Sequence, residues 1–304
     1  MYRGANSASK QQISLEKEES RMAVFYNYAT LSYNQNVTNS NVVTGELVEV
    51  ITVTKNAVAD GYRVGDTVTY VVNIINSGNA AYTDLTLSDD LGTYRAGVTS
   101  LVPLTYLDGS VQYYVNGVLQ PTPTVALGTE LTFSGINVPA NSNVAIIYRT
   151  TVNEFAPLAA GSVIVNTARV SGDGVSAVIA TETLPVFTEA YLGITKAINP
   201  TTVVENEPLT YTFVITNTGN TEAVATDNVV LTDVFNPSLN ITAVTYNGTA
   251  WTSPANYTYD RATGVFSTVA GQITVPAATY STDPATGAVT VTPGTVIITV
   301  TGTI

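Results

Sequence analysis

The sequence predicts an all-β protein of two tandem sandwiches preceded by a short N-terminal segment, and three observations carry that prediction. Thr and Val dominate, Asn is frequent and Tyr numbers 18, 22 Gly and 13 Pro punctuate at short intervals, and no long stretch has helical spacing, the pattern of short strands separated by turns. An offset of 141 lays Val53-Thr54-Lys55 over Ile194-Thr195-Lys196, Tyr70 over Tyr211, Asn76 over Asn217 and Gly78 over Gly219, a fixed period that marks an internal repeat. At 304 residues, 45% of them hydrophobic, each of two units of about 140 residues can bury its own core. Helix is expected to be nearly absent.

Taken in order, residues 1–21 are polar and of mixed charge, with Lys10, Glu16, Lys17, Glu18, Glu19 and Arg21; they predict a disordered leader, and no apolar run of secretory-signal length is present. A signal removed elsewhere, release by lysis of a spore's mother cell, or a natural start at Met22 would each account for this. Residues 22–47 form an N-terminal segment in which Asn27-Tyr28-Ala29-Thr30-Leu31-Ser32 echoes Asn166-Thr167-Ala168-Arg169-Val170-Ser171, the stretch that closes the first repeat. Residues 48–187 make repeat 1. Residues 188–304 make repeat 2, expected to lack a closing strand because nothing like Asn166-Thr167-Ala168 recurs in it. With a three-residue insertion Leu87-Ser88-Asp89 continues onto Leu231-Thr232-Asp233, and both repeats carry an Asn-Gly pair, Asn116-Gly117 and Asn247-Gly248, the mark of a tight hairpin. Val144–Tyr148 is aligned with Thr295–Thr299.

Composition excludes several function classes. Net charge is −12 with no basic cluster, so nucleic acid is a poor partner, and acidic surface mainly favours solubility. Without Cys or His there is neither a disulfide nor a thiolate or imidazole metal site; no metal and no cofactor is expected. No apolar run is long enough to span a bilayer. The carboxylates Asp89, Asp90 and Asp173 read as solvated loop residues, since calcium sites need denser acidic spacing, and Tyr113 and Tyr114 read as cross-strand packing.

Strand parity isolates the chemistry, because alternate residues share a face. Lys55 interrupts the row Ile51, Val53, Ala57, and Lys196 the row Leu192, Ile194, Ile198. Asp89 lies among Leu85, Leu87 and Leu91, and Asp233 among Val229, Leu231 and Phe235. Asn166 follows Ile164 and precedes Ala168 and Val170; Asn27 sits likewise among Phe25, Ala29 and Leu31. Each unit thus aims a Lys, an Asp and an Asn inward, provided Asn27 serves repeat 2. Burial pushes a lysine toward its neutral amine and a carboxyl group toward its protonated form. Such an amine beside a carboxamide, with an acid on the amide, expels ammonia and leaves a Lys–Asn isopeptide bond. That predicts Lys55 to Asn166 within a chain and Lys196 to Asn27 between chains, with Asp89 and Asp233 as the promoting acids. Each bond forms once, so the protein is not a turnover enzyme. Snorkelling lysines and backbone-bridging Asp and Asn are the structural alternatives.

These stretches also carry a resemblance. Gly65-Asp66-Thr67-Val68-Thr69-Tyr70, Asn76-Ser77-Gly78, Ser88-Asp89 and Val165-Asn166-Thr167-Ala168, with Pro208-Leu209-Thr210-Tyr211, Asn217-Thr218-Gly219 and Thr232-Asp233 in repeat 2, resemble the domain-of-unknown-function 11 repeats of bacterial surface proteins. Repeat 2 departs by carrying Glu207 where the Gly-Asp pair begins and by having no Asn-Thr-Ala. The resemblance implies immunoglobulin-like sandwiches in strings at a bacterial surface, and the Lys, Asp and Asn are similar to the isopeptide triad of collagen-adhesin A-type domains. An N-terminal stub of this kind resembles proteins of spore-forming bacteria, which implies a cell- or spore-surface appendage.

Function follows from the borrowed piece. A sandwich short of a strand exposes unpaired backbone and an open core, and Phe25, Ala29, Leu31 and Tyr33 offer one face to fill it, in the manner of strand donation. The expected partners are other copies of the chain, joined head to tail in an open filament because the contact does not close. A surface adhesin, with the repeats as stalk, is the rival expectation.

Overall fold

The computed structural model describes residues 23–47 and 49–304. The leader 1–21 and Met22 lie outside the described residues. Strands alternate with tight turns throughout, and the single helical element among the described residues is a 3-10 turn, Ala225–Asp227.

The N-terminal segment contains β1 (Ala23–Asn27), β2 (Thr30–Tyr33), β3 (Asn36–Asn39) and β4 (Val43–Leu47), and domain 1 contains β5 (Ile51–Ala57), β6 (Thr67–Asn76), β7 (Tyr82–Asp89), β8 (Tyr94–Ala96), β9 (Thr99–Leu101), β10 (Leu104–Tyr106), β11 (Gln112–Val115), β12 (Val118–Gln120), β13 (Thr124–Leu127), β14 (Leu131–Val138), β15 (Ser142–Val152), β16 (Val163–Gly172) and β17 (Val175–Pro185). One sheet runs β12-β11-β15-β6-β5, with β10 also on β15; the other runs β13-β14-β7-β16-β17. Alternate residues of both sheets meet in a core that includes Tyr70, Val72, Ile74, Leu85, Leu87, Phe133, Ile146 and Val170, all buried. This is the alternation an antiparallel sandwich requires.

Domain 2 contains β18 (Leu192–Asn199), β19 (Pro208–Asn217), β20 (Thr232–Val234), β21 (Asn240–Tyr246), β22 (Thr249–Trp251), β23 (Tyr257–Asp260), β24 (Val265–Thr268), β25 (Thr279–Thr282), β26 (Val289–Thr292) and β27 (Gly294–Thr303). Its first sheet, β22-β21-β27-β19-β18, repeats the order of its counterpart in domain 1. Its second, β23-β24-β20, has three strands where domain 1 has five: the places of both β16 and β17 are empty among the described residues, so two strands are wanting rather than one.

Shared turn chemistry fixes the common frame. Asn116-Gly117 and Asn247-Gly248 all have positive φ, between 48° and 79°, which gives the primed hairpin turns of β11-β12 and β21-β22. Gly65 at φ 88° and Asn206 at φ 64° occupy one position, so it is Asn206 that takes the glycine's left-handed place and Glu207 that replaces Asp66. Asn76 and Asn217 are buried and knit loops together: each accepts from the amide two residues on, at 2.9 Å, and donates to a carbonyl four residues on, at 2.8 Å. Backbone register corrects one alignment: Ile146 faces Val72 as Ile298 faces Phe213, so Val144 corresponds to Val296 and Tyr148 to Val300, one residue beyond the expected match.

Domain 2 also carries an arm absent from domain 1. Between Ala278 and Gly294 the hairpin β25-β26 reaches back, and Val289 donates its amide to the carbonyl of Glu154 at 2.8 Å. Tyr280, Val289 and Val291 pack against the core of domain 1.

The N-terminal segment is a hairpin rather than a single strand. β1 (Ala23–Asn27) pairs with β4 (Val43–Leu47), and β2 (Thr30–Tyr33) with β3 (Asn36–Asn39), around the left-handed pair Asn34 and Gln35. Adding 139 to the pairs Val24–Glu46, Phe25–Gly45, Tyr26–Thr44 and Asn27–Val43 gives Val163–Pro185, Ile164–Leu184, Val165–Thr183 and Asn166–Glu182, the register of β16 on β17. The same offset puts Asn34-Gln35 on the Asp173-Gly174 turn. The β1-β4 half thus repeats the register of the closing hairpin of domain 1, while the β2-β3 half is shifted from it by one residue: Thr30 pairs with Asn39, whereas Arg169 pairs with Ile179.

Candidate functional site

Lys55 leaves β5 toward the core, and its Nζ lies 2.5 Å from Oδ2 of Asp89, the last residue of β7, with neither side chain exposed. The Tyr148 hydroxyl, from β15, donates to the same Oδ2, and the Leu91 amide donates to Oδ1 at 2.9 Å. Asn166 stands on β16 two residues before Ala168, the cross-strand partner of Asp89, and is fully buried with neither amide atom hydrogen-bonded. Tyr70 completes the enclosure: its ring stacks on Tyr148 at 5.8 Å, and Lys55 Nζ lies 4.9 Å from its centroid.

Electrostatics here is governed by loss of water. Burial lowers the Lys55 pKa from 10.5, against the opposing pull of the Asp89 carboxylate, which is the direction expected when a desolvated ammonium outweighs its partner. Burial likewise pushes the Tyr148 hydroxyl well up, and the neighbouring Asp89 adds to it. A lysine that yields its proton readily, an acid in contact with it and a carboxamide without a partner are the three parts of an amide exchange.

Asp89 and Asp90 do not form a solvated loop, contrary to the reading from spacing. Asp89 is wholly buried, and Asp90 Oδ1 accepts from the amides of Gly92 and Thr167, both at 2.9 Å. Asp173 is exposed in the β16-β17 turn.

Domain 2 holds half of the same arrangement. Lys196 Nζ is 2.5 Å from Asp233 Oδ2, but the side chains are 40% and 18% exposed. The rings of Tyr211, Phe213 and Phe235 surround the amine at 4.5, 5.5 and 5.4 Å. Where domain 1 has Tyr148, domain 2 has Val300. Every residue of β18 is exposed, with Ile194 at 54%, whereas Ile51 and Lys55 of β5 are buried under β16 and β17. Leu192, Ile194, Ile215, Val229 and Leu231 line an open cleft of about 330 Å³ between β18 and the β20 side.

Asn27 is not brought to Lys196 within the chain: it is exposed on β1, and Phe25, Ala29, Leu31 and Tyr33 are exposed as well. The counterparts of Phe25, Asn27, Ala29 and Leu31, which are Ile164, Asn166, Ala168 and Val170, are at most 1% exposed, while Gly172, the counterpart of Tyr33, is exposed. Strand parity turned Lys55, Asp89 and Asn166 inward, where the structure buries them, but singled out neither Tyr70 nor Tyr148. The signal for the first was present, since Tyr70 and Tyr211 coincide in the repeat; Tyr148 sits in the run Ile146-Ile147-Tyr148, which has no parity to read. No helix among the described residues is long and apolar enough to cross a membrane.

No family model matches the chain, and no curated protein does. Among solved structures it is similar to the major pilin subunit of Bacillus cereus (13% identity, 89% of this chain and 73% of that one, TM-score 0.33). It is also similar to a 35 kDa C-terminal fragment of the major pilin of Streptococcus agalactiae (12%, 82% and 91%, 0.34) and to the collagen-binding domain of a Staphylococcus aureus adhesin (13%, 45% and 97%, 0.29). Identities and scores this low define no family for the chain.

Proposed function

We propose that this chain is the structural subunit of an extracellular bacterial filament at a cell or spore surface. The hairpin β1–β4 of one subunit enters the open second sheet of domain 2 in the next. One observation carries this reading: β1 on β4 has the register of β16 on β17, and the free edge at β20 is the edge of β7 on which β16 pairs. In that position Ala29 faces Asp233 as Ala168 faces Asp89, and Phe25, Asn27 and Leu31 enter the cleft with Leu192 and Ile194. Covering each large apolar side chain contributes about 1.5–3 kcal/mol before ordering costs.

The tether favours exchange between chains. Three residues separate β4 from β5, a reach of about 10 Å. β5 then leads toward Tyr62 and Arg63, whose neighbours Phe187, Glu189 and Tyr191 belong to the junction with domain 2. The hairpin is thus held at the end of domain 1 remote from its own domain 2, and a head-to-tail contact of this kind propagates. Within each subunit Lys55 bonds Asn166; across each junction Lys196 bonds Asn27, with Asp89 and Asp233 as proton carriers.

Boiling the assembled protein in detergent tests this directly. A ladder of multimers with one ammonia lost per bond is the expected result; monomer bands of unreduced mass would remove the covalent part. Fibres formed by a chain that begins after residue 47 would overturn the donor hairpin itself.

A further inference from the structure

The joint between the two domains is held from several sides. Arg63 of domain 1 lays its guanidinium over the rings of Phe187 and Tyr191, at 4.5 and 5.3 Å, and meets the Glu189 carboxylate. Phe187 donates its amide to the Tyr62 carbonyl at 3.1 Å. Asn220 of domain 2 donates to the carbonyls of Leu158 and Phe187, at 3.1 and 2.9 Å, and accepts from the Glu189 amide at 3.2 Å. The β25-β26 arm then spans the joint: beside the bond from Val289 to Glu154, Tyr280 donates its hydroxyl to the Thr218 carbonyl at 3.1 Å and packs on the core of domain 1. Domains of one chain move relative to each other by default, and ties on both sides of the linker oppose it.

The next joint along a filament, between domain 2 of one subunit and domain 1 of another, is built from other residues. Tyr82 faces Val138 and Asn76 faces Ser142, as Ala223 faces Val275 and Asn217 faces Gly294, so the turn 139–141 of domain 1 stands where domain 2 has 276–293 with its arm. Arg63 and Val204 share a position, since their carbonyls accept from the Asp66 and Glu207 amides; the valine is 64% exposed. Val50 stands for Tyr191, the carbonyl of each accepting at 2.9 Å from an amide, that of Ser77 or of Thr218. Glu46 and Pro185 match in their hairpins, so residues 47–49 take the place of 186–190, too short a stretch to repeat the wall that Phe187 and Glu189 make around Arg63. Asn220 does recur, as the exposed Asn79.

We propose that a filament of this chain alternates two kinds of joint: one fixed within each subunit by the β25-β26 arm and the cluster around Arg63, and one between subunits that pivots because the turn 139–141 and Val204 stand in their places. The second joint rests on the donor-hairpin reading; the first does not. Motion concentrates where few packed side chains and few hydrogen bonds oppose it. Each subunit is then a stiff rod, and the fibre bends once per subunit, outside the sheets that the hairpin completes.

The chain has no Cys, so spin labels on Leu119→Cys and Ala250→Cys, exposed positions on β12 and β22, report the distance between domains in the unassembled subunit. A narrow distribution is expected, and replacing residues 277–293 with Ala-Asn, the two residues that follow Pro139 in domain 1, should broaden it. Arg63→Val, which alters one half-buried side chain and leaves both cores intact, should broaden it to a lesser degree. A broad distribution in the parent, or a narrow one in both variants, would overturn the brace. In assembled fibres, images sorted by the angle between neighbouring domains should show narrow and wide spreads in alternation; equal spreads at the two joints would sink the pivot. Subunits that never join would remove the donor hairpin and the pivot together, and the distance measurement would still decide the brace.

Discussion

The two domains hold the same ion pair at the same 2.5 Å, yet in domain 1 neither side chain is exposed and in domain 2 the lysine is 40% exposed. Contact geometry therefore does not distinguish the sites; the two strands laid over them do. β16 and β17 strip water from Lys55, supply Asn166 and seal Ile51, while β18 waits with its apolar row uncovered. A buried pair is costly to break and sensitive to its surroundings, whereas a wet one contributes little. The difference teaches that the second site keeps the lysine and acid of the first without the two strands that cover them and supply the carboxamide.

The strongest way to break that comparison is to supply the lid separately. A peptide of residues 23–47 added to a chain lacking them should bind domain 2 and become attached through Lys196, giving an adduct lighter than the sum by one ammonia. The same peptide with Asn27→Ala should bind without attachment. Attachment of the Asn27→Ala peptide, or of the normal peptide to a Lys196→Ala chain, would show that the equivalence of the two sites is wrong.

Next in size is the cross-link proposed for domain 1. A bond from residue 55 to residue 166 closes a loop on the order of 100 residues, for which chain entropy predicts about 4–5 kcal/mol. Asn166→Ala should lower the unfolding free energy of domain 1 by about that amount in denaturant titration. Asn27→Ala should leave the unassembled subunit unchanged.

Much of this was legible, and the limits have physical causes. Lys55, Asp89 and Asn166 were visible because each interrupts an apolar row of period two, and their doubling in Lys196 and Asp233 made chance a poor explanation. The returning arm of the N-terminal hairpin was not, since Thr38, Asn39, Ser40 and Asn41 show no alternation; only the register of β4 on β1, matched to β17 on β16, identifies it. The shift by one residue in β27 arises in Val296-Ile297-Ile298, where consecutive apolar residues suit either parity. The arm 279–293 is Thr-rich on its exposed side, and its three inward residues, Tyr280, Val289 and Val291, acquire meaning only when domain 1 lies beneath them. Asp90 looked like a solvated loop carboxylate because its partners are backbone amides, which sequence does not display.

A smaller effect separates the acids. In an Asn166→Ala background, where no bond can form, Asp89→Ala leaves Lys55 buried without its partner and should cost about 3–5 kcal/mol. Asp233→Ala in the unassembled subunit should cost less than about 1 kcal/mol, because solvent already screens the pair. Equal losses in the two domains, read from their separate unfolding transitions, would mean that burial is not what distinguishes them.

The finest distinction is in pH. Burial lowers the Lys55 pKa below 10.5 in the folded domain, so between the folded value and 10.5 the unfolded chain binds a proton that the folded one does not. Where the unfolded state holds more protons, stability rises with pH. In the Asn166→Ala background domain 1 should therefore gain stability as pH climbs toward 10.5 and lose it as pH falls toward the folded pKa, below which this contribution levels off. Replacing Lys55 with Met removes the titrating group and should flatten that slope. A slope that survives Lys55→Met would assign the pH dependence to another group and separate the burial of Lys55 from the chemistry that the closing hairpin controls.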